Sequence, residues 1–145
     1  MNKQAIKQLN FAHIYLINAD LANRDLLEKN TEYYPNTPKE YYKPIYENIQ
    51  EVLYYIEGVL TDKTRVNTDV SEIVYRRIYE SIEKLKSYYE MFVVVPAFQS
   101  VKAKSYLFKV VEMETNLRKA LVSFQLYRNL NNELNLPPVI NQKEL

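Results

Sequence analysis

Residues 37–60 read TPKEYYKPIYENIQEVLYYIEGVL, and this stretch decides the fold class. Its apolar side chains recur every three or four residues, which is the period of one face of an α-helix. The stretch begins with a capping box, in which the Thr37 hydroxyl accepts from the backbone N–H of Glu40 and the Glu40 side chain reaches back. We therefore predict an amphipathic helix whose core face carries Tyr42, Ile45, Ile49, Val52, Leu53, Ile56, Val59 and Leu60.

Two prolines lie near the start of this helix. Pro38 fits the first helical position, because its missing N–H would have no partner there in any case. Pro44 leaves two alternatives open. Either it kinks the helix, or it makes residues 39–43 a separate turn before the main helix.

Gly58 is the only glycine among the 145 residues. Tight hairpin turns depend heavily on glycine, and so do the loops that bind phosphate groups. The composition therefore argues against an all-β fold and a Rossmann-type fold, and it excludes glycine-rich phosphate loops. We predict an all-α protein.

The same periodicity predicts three further helices. They cover residues 3–29, residue 69 to the valines before Pro96, and residues 97–134, the last being the longest. Short connections between amphipathic helices favour an antiparallel, up-down bundle of about four helices. The alternative is a helical hairpin plus a long helix that packs fully only within an oligomer.

Several apolar residues of the first helix widen its core stripe. They are Phe11, Ile14, Tyr15 and Leu21. We expect this helix to be buried on two sides.

We assign residues 1–134 to a single domain, and residues 135–145 to an extended tail because Pro137 and Pro138 cannot continue a helix.

Composition also limits the chemistry. The chain has no Cys, a single His and a net charge of +1. His13 lies beside the core stripe of the first helix and is expected to be a hydrogen-bonded boundary residue. We predict no catalytic, cofactor-binding or metal-binding residue and no cofactor.

The N-terminal residues lack the continuous apolar segment of a signal peptide, and no run of about 18 apolar residues could span a membrane. We therefore expect no membrane partner, and a location in the cytoplasm or within a virion.

Tyrosine is unusually frequent, with 14 residues that include four doublets. A tyrosine combines a large contact area with a polar tip, which suits protein interfaces. We predict that Tyr41, Tyr46, Tyr54 and Tyr55 are partly exposed and contact a partner. The alternative is that tyrosine fills boundary positions of the bundle.

The tail segment Leu136, Pro137, Pro138, Val139 and Ile140 is a second predicted partner site. A stiff proline pair with exposed aliphatic side chains loses little entropy when it docks into a groove. The alternatives are a strap on its own bundle, or disorder.

Charge is segregated along the chain. Residues 21–62 carry four basic and eight acidic side chains, a net of −4, whereas residues 97–132 carry six basic and two acidic side chains, a net of +4. Opposite flanks can pair the helices of one chain or stack copies head to tail. The alternative is that these charges lie on solvent-exposed helix faces and that their separation along the chain has no role.

Three functions are compatible with these patterns. The leading hypothesis is a non-enzymatic interaction or assembly protein, a structural or adaptor subunit of a larger complex, with self-association and a viral or phage particle as candidate contexts. The second is a small nucleic-acid-binding module that uses Lys84, Lys86, Lys102, Lys104 and Lys109 near tyrosine rings. The third, less favoured, is a helical enzyme with carboxylates at a divalent metal. Its best-placed carboxylate is Asp20, for which an ion pair with Arg24 is the alternative.

Overall fold

The computed structural model describes residues 3–28, 42–62, 68–94 and 101–135, with side chains described for 3–28, 42–61, 70–87 and 107–131. Four helices account for these residues: α1 is Lys3–Glu28, α2 is Lys43–Asp62, α3 is Thr68–Val94 and α4 is Val101–Asn135. The described part of the chain contains no strand. The prediction of an all-α bundle with a long C-terminal helix is confirmed.

Side-chain contacts show that α1 and α2 are antiparallel. His13 Nε2 lies 2.9 Å from Glu57 Oε2, near the C-terminal end of α2. Ten residues further along α1, Asn23 Nδ2 donates to the Tyr42 carbonyl at 3.4 Å, at the start of α2. His13 is therefore a hydrogen-bonded boundary residue, as predicted.

Helix α3 runs antiparallel to α2. Arg77 Nε donates to Glu51 Oε2 at 3.3 Å. Asn48 Nδ2 donates to Ser81 Oγ at 3.2 Å. Asn48 precedes Glu51 by less than one turn of α2, whereas Ser81 follows Arg77 by about one turn of α3, so the two helices run in opposite directions.

Helix α4 closes the ring by packing between α3 and α1. Lys109 Nζ lies 3.8 Å from Asp25 Oδ2, and Lys119 Nζ lies 5.7 Å from the centre of the Tyr15 ring. The two contacts run in opposite directions along the two helices, so α4 is antiparallel to α1. The bundle is therefore up-down-up-down, with each helix contacting the next and α4 contacting α1.

The contact between α1 and α4 is the most extensive in the bundle. Alanine and leucine share the core face of α1, where the fully buried residues are Ala5, Leu9, Ala12, Leu16, Ala19 and Leu26. The facing core residues of α4 are Val110, Met113, Leu117, Ala120, Phe124 and Tyr127. Because alanine side chains are short, the two backbones can approach closely, which accounts for the extent of the contact. We call this contact the α1–α4 seam.

The helix boundaries differ slightly from those predicted. α2 begins at Lys43, so Pro44 lies in the first turn, where its missing N–H leaves no helical hydrogen bond unmade. α2 continues through Asp62, two residues beyond the predicted stretch of residues 37–60, and α3 begins at Thr68, one residue before the predicted start. The capping box of Thr37 and Glu40 lies outside the described residues. Of the predicted tail of residues 135–145, Asn135 is the last residue of α4, and residues 136–145 lie outside the described residues.

We expect Ala12→Leu to lower the free energy of unfolding by about 1–3 kcal/mol, because extra methylene groups in a close-packed core force side chains out of their preferred rotamers. Ala12 is fully buried, whereas Asn10 is exposed on the same helix. The control Asn10→Leu should change stability by no more than about 0.5 kcal/mol. Urea unfolding measures both; equal effects would contradict close packing at the seam.

We expect Gly58→Ala to raise the free energy of unfolding by about 0.5–1 kcal/mol. Gly58 lies inside α2, and a Cβ added there would meet no atom within 4 Å. Thermal unfolding followed by circular dichroism measures the change. A loss of stability would show that the glycine serves a packing role within the chain.

Candidate functional site

The predicted partner-binding tyrosines of α2 differ in their surroundings. Tyr54 is 75% exposed, and its ring lies edge-on to the ring of Tyr55 at 5.6 Å. Tyr55 is half-buried against the core. Tyr46 is also partly buried, and its ring lies 5.3 Å from the guanidinium carbon of Arg24. Tyr54 thus presents the largest free surface of the three; Tyr41, like the segment 136–140, lies outside the described residues.

Lys109 belongs to the α1–α4 seam. Besides its contact with Asp25, its Nζ lies 3.4 Å from Glu112 Oε2. These contacts engage Lys109 on the α1 side of α4. The side chains of Lys102 and Lys104 lie outside the described residues.

Lys84 and Lys86 are exposed on α3, the helix on the other side of α4. Lys84 lines an open depression of about 350 Å³ with Tyr79, Glu80, Glu83 and Ser87. The two glutamates give this depression a mixed charge. Of the described lysines, Lys84 thus lies beside carboxylates on α3, and Lys109 faces α1.

Asp20 is a buried carboxylate, 6% exposed, on the side of α1 that faces α2. Its Oδ2 accepts a hydrogen bond from Arg24 Nε at 2.8 Å, and its Oδ1 accepts one from Gln50 Nε2 at 2.7 Å. The hydrogen bond to Asp20, with the attraction between the two charges, raises the pKa of Arg24 above its ordinary value. Asp20 thus forms the ion pair with Arg24 that the sequence allowed, within α1, and its other oxygen joins α1 to α2 through Gln50.

Carboxylates do not converge elsewhere in the described structure. Among the side chains that it includes, no group of three or more His, Cys, Asp or Glu residues is placed to hold a metal ion.

None of the described helices is long and apolar enough to cross a membrane.

Among the described side chains, most of the exposed large apolar residues lie on the outer faces of α1 and α4. There are seven of them there: Phe11, Ile14 and Leu21 on α1, and Phe108, Val111, Val122 and Leu126 on α4. The seam places the two outer faces side by side, and exposed polar side chains, among them Asn18, Glu112, Thr115, Arg118 and Lys119, lie between the apolar ones. We call this surface, defined by these seven residues, the α1–α4 wall.

The outer faces of α2 and α3 have a different character. Among the described side chains, the exposed ones are Lys43, Glu47, Tyr54, Glu57 and Thr61 on α2, and Glu72, Arg76, Tyr79, Glu83, Lys84, Lys86 and Ser87 on α3. Apart from the two tyrosines these residues are polar, as expected of a solvated helix face. We call this described surface of α2 and α3 the polar wall; the α1–α4 wall differs from it in exposing seven large apolar side chains among its polar ones.

Two basic side chains near the α1–α4 wall pair with carboxylates of the same chain. Arg118 Nε lies 2.7 Å from Glu114 Oε1, one turn away on α4, and Lys109 contacts Asp25 and Glu112. Lys7 Nζ lies 5.8 Å from the centre of the Phe11 ring, and Lys119 Nζ lies near the Tyr15 ring. These two lysines contact aromatic rings and keep their positive charge.

Sequence analysis found only half of this surface. Phe11, Ile14, Tyr15 and Leu21 were predicted to widen the core stripe of the first helix and to bury it on two sides. Tyr15 packs partly buried against the core, whereas Phe11, Ile14 and Leu21 are exposed, so the prediction of burial is wrong for these three. The exposed residues of α4 were missed. The sequence feature that could have revealed them is a second set of apolar residues in this helix, on a different face from the core stripe. With both sets, hydrophobic residues occur around the whole circumference of α4.

Comparison with known proteins assigns no relative. No family model matches the chain, no curated protein matches it, and no solved structure matches it. The functional argument therefore rests on the surfaces of this chain.

We expect Asp20→Ala to lower the free energy of unfolding by about 1–3 kcal/mol, because it leaves the Gln50 amide without its acceptor in the α1–α2 seam. Asp20→Asn keeps an oxygen for Gln50 and loses only the charge opposite the half-exposed Arg24, so its cost should be below about 1 kcal/mol. Urea unfolding compares the two variants. If both lost the same stability, the amide hydrogen bond would not be the important contact.

Proposed function

We propose that this chain is a non-enzymatic interaction protein, a structural or adaptor subunit of a larger assembly, which binds its protein partner through the α1–α4 wall. The main observation in support of this proposal is that seven large apolar side chains are exposed on two adjacent helices. Large exposed apolar patches on a folded domain mark interaction sites, because burying them removes unfavourable contact with water.

The distribution of charge supports a protein partner. A surface that binds nucleic acid is rich in unpaired basic groups. Lys109, Arg118 and Lys119 are instead engaged by carboxylates or by the Tyr15 ring within the chain. Large exposed apolar side chains among basic groups that are already engaged within the chain resemble a protein–protein interface more than a phosphate-binding surface.

The asymmetry of the two walls adds to this argument. If the apolar residues of α1 and α4 were surface residues without a role, similar residues would be expected on α2 and α3. Those helices expose polar side chains and two tyrosines. Tyr54 and the segment 136–140 remain predicted secondary contacts, and a virion or cytoplasmic setting remains a prediction from the sequence.

A photoreactive amino acid tests which wall contacts a partner. We would introduce p-benzoylphenylalanine at Phe108 and, as the matched control, at Tyr54, in the cell that naturally produces the chain. The two positions hold aromatic side chains of nearly equal exposure, 74% and 75%, on diagonally opposite helices. We expect a discrete cross-linked product from position 108 and little from position 54.

A second substitution makes the result specific. Leu126 lies on the same wall as Phe108. The substitution Leu126→Glu should strongly reduce the yield of the cross-linked product from position 108, because burying a carboxylate in an apolar interface is costly. Its stability should stay within about 0.5 kcal/mol of the parent, since the residue is exposed. The absence of a product at position 108, or an equal yield at both positions, would contradict the proposal.

A further inference from the structure

We propose that the partner of the α1–α4 wall is a second copy of this chain, in a two-fold symmetric dimer in which α1 packs antiparallel on α1 and α4 on α4 of the other copy. This inference rests on the proposed function of the wall. It follows from the order of the residues along the two helices. In a two-fold interface, residues equally far from the axis on opposite sides must face each other.

The outward stripe of α1 has this symmetry. It consists of Lys7, Phe11, Ile14, Asn18, Leu21 and Asp25, which alternate in steps of four and three residues as in a coiled coil. The stripe is symmetric about residue 16. Antiparallel pairing therefore sets Phe11 against Leu21, and Ile14 against Asn18, of the other copy.

The ends of the same stripe carry opposite charges. Lys7 and Asp25 both lie nine residues from residue 16. The pairing places Lys7 of each copy opposite Asp25 of the other, so the interface closes with two ion pairs at its ends. Asp25 is 26% exposed and lies 3.8 Å from Lys109 Nζ of its own chain, so in the dimer its carboxylate is shared between Lys109 and Lys7 of the other copy.

The exposed apolar residues of α4 are arranged about a similar centre. Phe108 and Leu126 are each nine residues from Leu117, and the midpoint between Val111 and Val122 lies half a residue from Leu117. An antiparallel pair of α4 helices thus brings Phe108 against Leu126, and Val111 close to Val122, of the other copy. The exposed residues nearest the axis are Thr115, Arg118 and Lys119, so the apolar contacts of α4 lie on either side of a polar centre.

The two centres lie at the same height in the bundle. The contacts of Asp25 with Lys109 and of Tyr15 with Lys119 both place residue 16 of α1 level with residue 118 of α4. That is one residue from Leu117, about 1.5 Å along the helix. One two-fold axis therefore serves both helices.

The dimensions also suit a dimer. α1 has 26 residues and is about 39 Å long. Two helices about 8–10 Å apart present a face of roughly 20 Å width once side chains are included. The wall therefore offers roughly 800 Å², which is the area that each partner contributes to a stable interface of standard size.

Two charge-reversed variants test the pairing. Lys7→Glu sets two carboxylates against each other at both ends of its homodimer, and Asp25→Lys sets two ammonium groups against each other. We expect each variant alone to dimerise on the order of tenfold more weakly than the parent chain. Mixed together, they restore an opposite-charge pair at both ends, so the mixture should form a heterodimer of nearly parental affinity. Native mass spectrometry distinguishes the heterodimer from both homodimers, and circular dichroism checks that each variant is folded.

A second test of the dimer, by disulfide cross-linking, does not depend on charge. The chain has no native Cys, so an introduced thiol is unique. Mixing Ile14→Cys with Asn18→Cys should give a disulfide between the two variants faster than either variant forms one with itself. Tyr54→Cys, on the opposite side of the bundle, serves as the control for random collision.

The outcomes separate this inference from the proposed function. A parent chain that stays monomeric at up to about 1 mM overturns the dimer, as does a mixture that fails to recover heterodimer. A monomeric chain whose Phe108 position still cross-links to a foreign protein in cells overturns the dimer and leaves the proposed function standing. Loss of the product at position 108 contradicts both.

Discussion

The close packing of α1 against α4 is the contact on which the rest of the structure depends. These are the first and last helices of the chain, so their seam closes the ring of four helices. Short alanine side chains on α1 let the larger residues of α4 fit against it. The same closeness places the outer faces of the two helices side by side. Packing inside the bundle thereby brings the exposed apolar residues of the two helices onto one side of the molecule.

Polar contacts set the register of the remaining seams. Asp20 joins Arg24 and Gln50 across α1 and α2, and Arg77 bridges Glu51 on α2 and Glu80 on α3. Burial lowers the pKa of Arg77, but attraction to Glu51 and Glu80 outweighs it, so the net shift is upward. Because ion pairs on partly exposed side chains contribute little free energy, we attribute most of the stability to apolar packing and the alignment of the helices to these pairs.

The two walls of the bundle explain why an interaction role fits better than the alternatives. The polar wall of α2 and α3 has the mixed charge of a solvated surface, and its lysines lie beside glutamates. The α1–α4 wall exposes seven large apolar side chains, and of its basic groups Lys109 and Arg118 pair with carboxylates of the same chain. A surface of this kind gains free energy by excluding water against another apolar surface, whereas phosphate recognition needs basic groups free to meet the phosphates.

The sequence by itself determined the helical class, the four helices, most of their core faces and the ion-pair character of Asp20. It could do so because helical periodicity, the scarcity of glycine and i,i+4 spacing are local properties of the chain. It also showed that α1 carries a second apolar stripe, but not whether that stripe is buried. Only the tertiary structure decided that α1 and α4 are neighbours, that Lys109 joins Asp25 instead of the lysines of α3, and that seven apolar residues share one outer surface. Which faces of two helices meet depends on the fit of side chains from distant parts of the chain, and a periodic pattern within one helix does not contain that information.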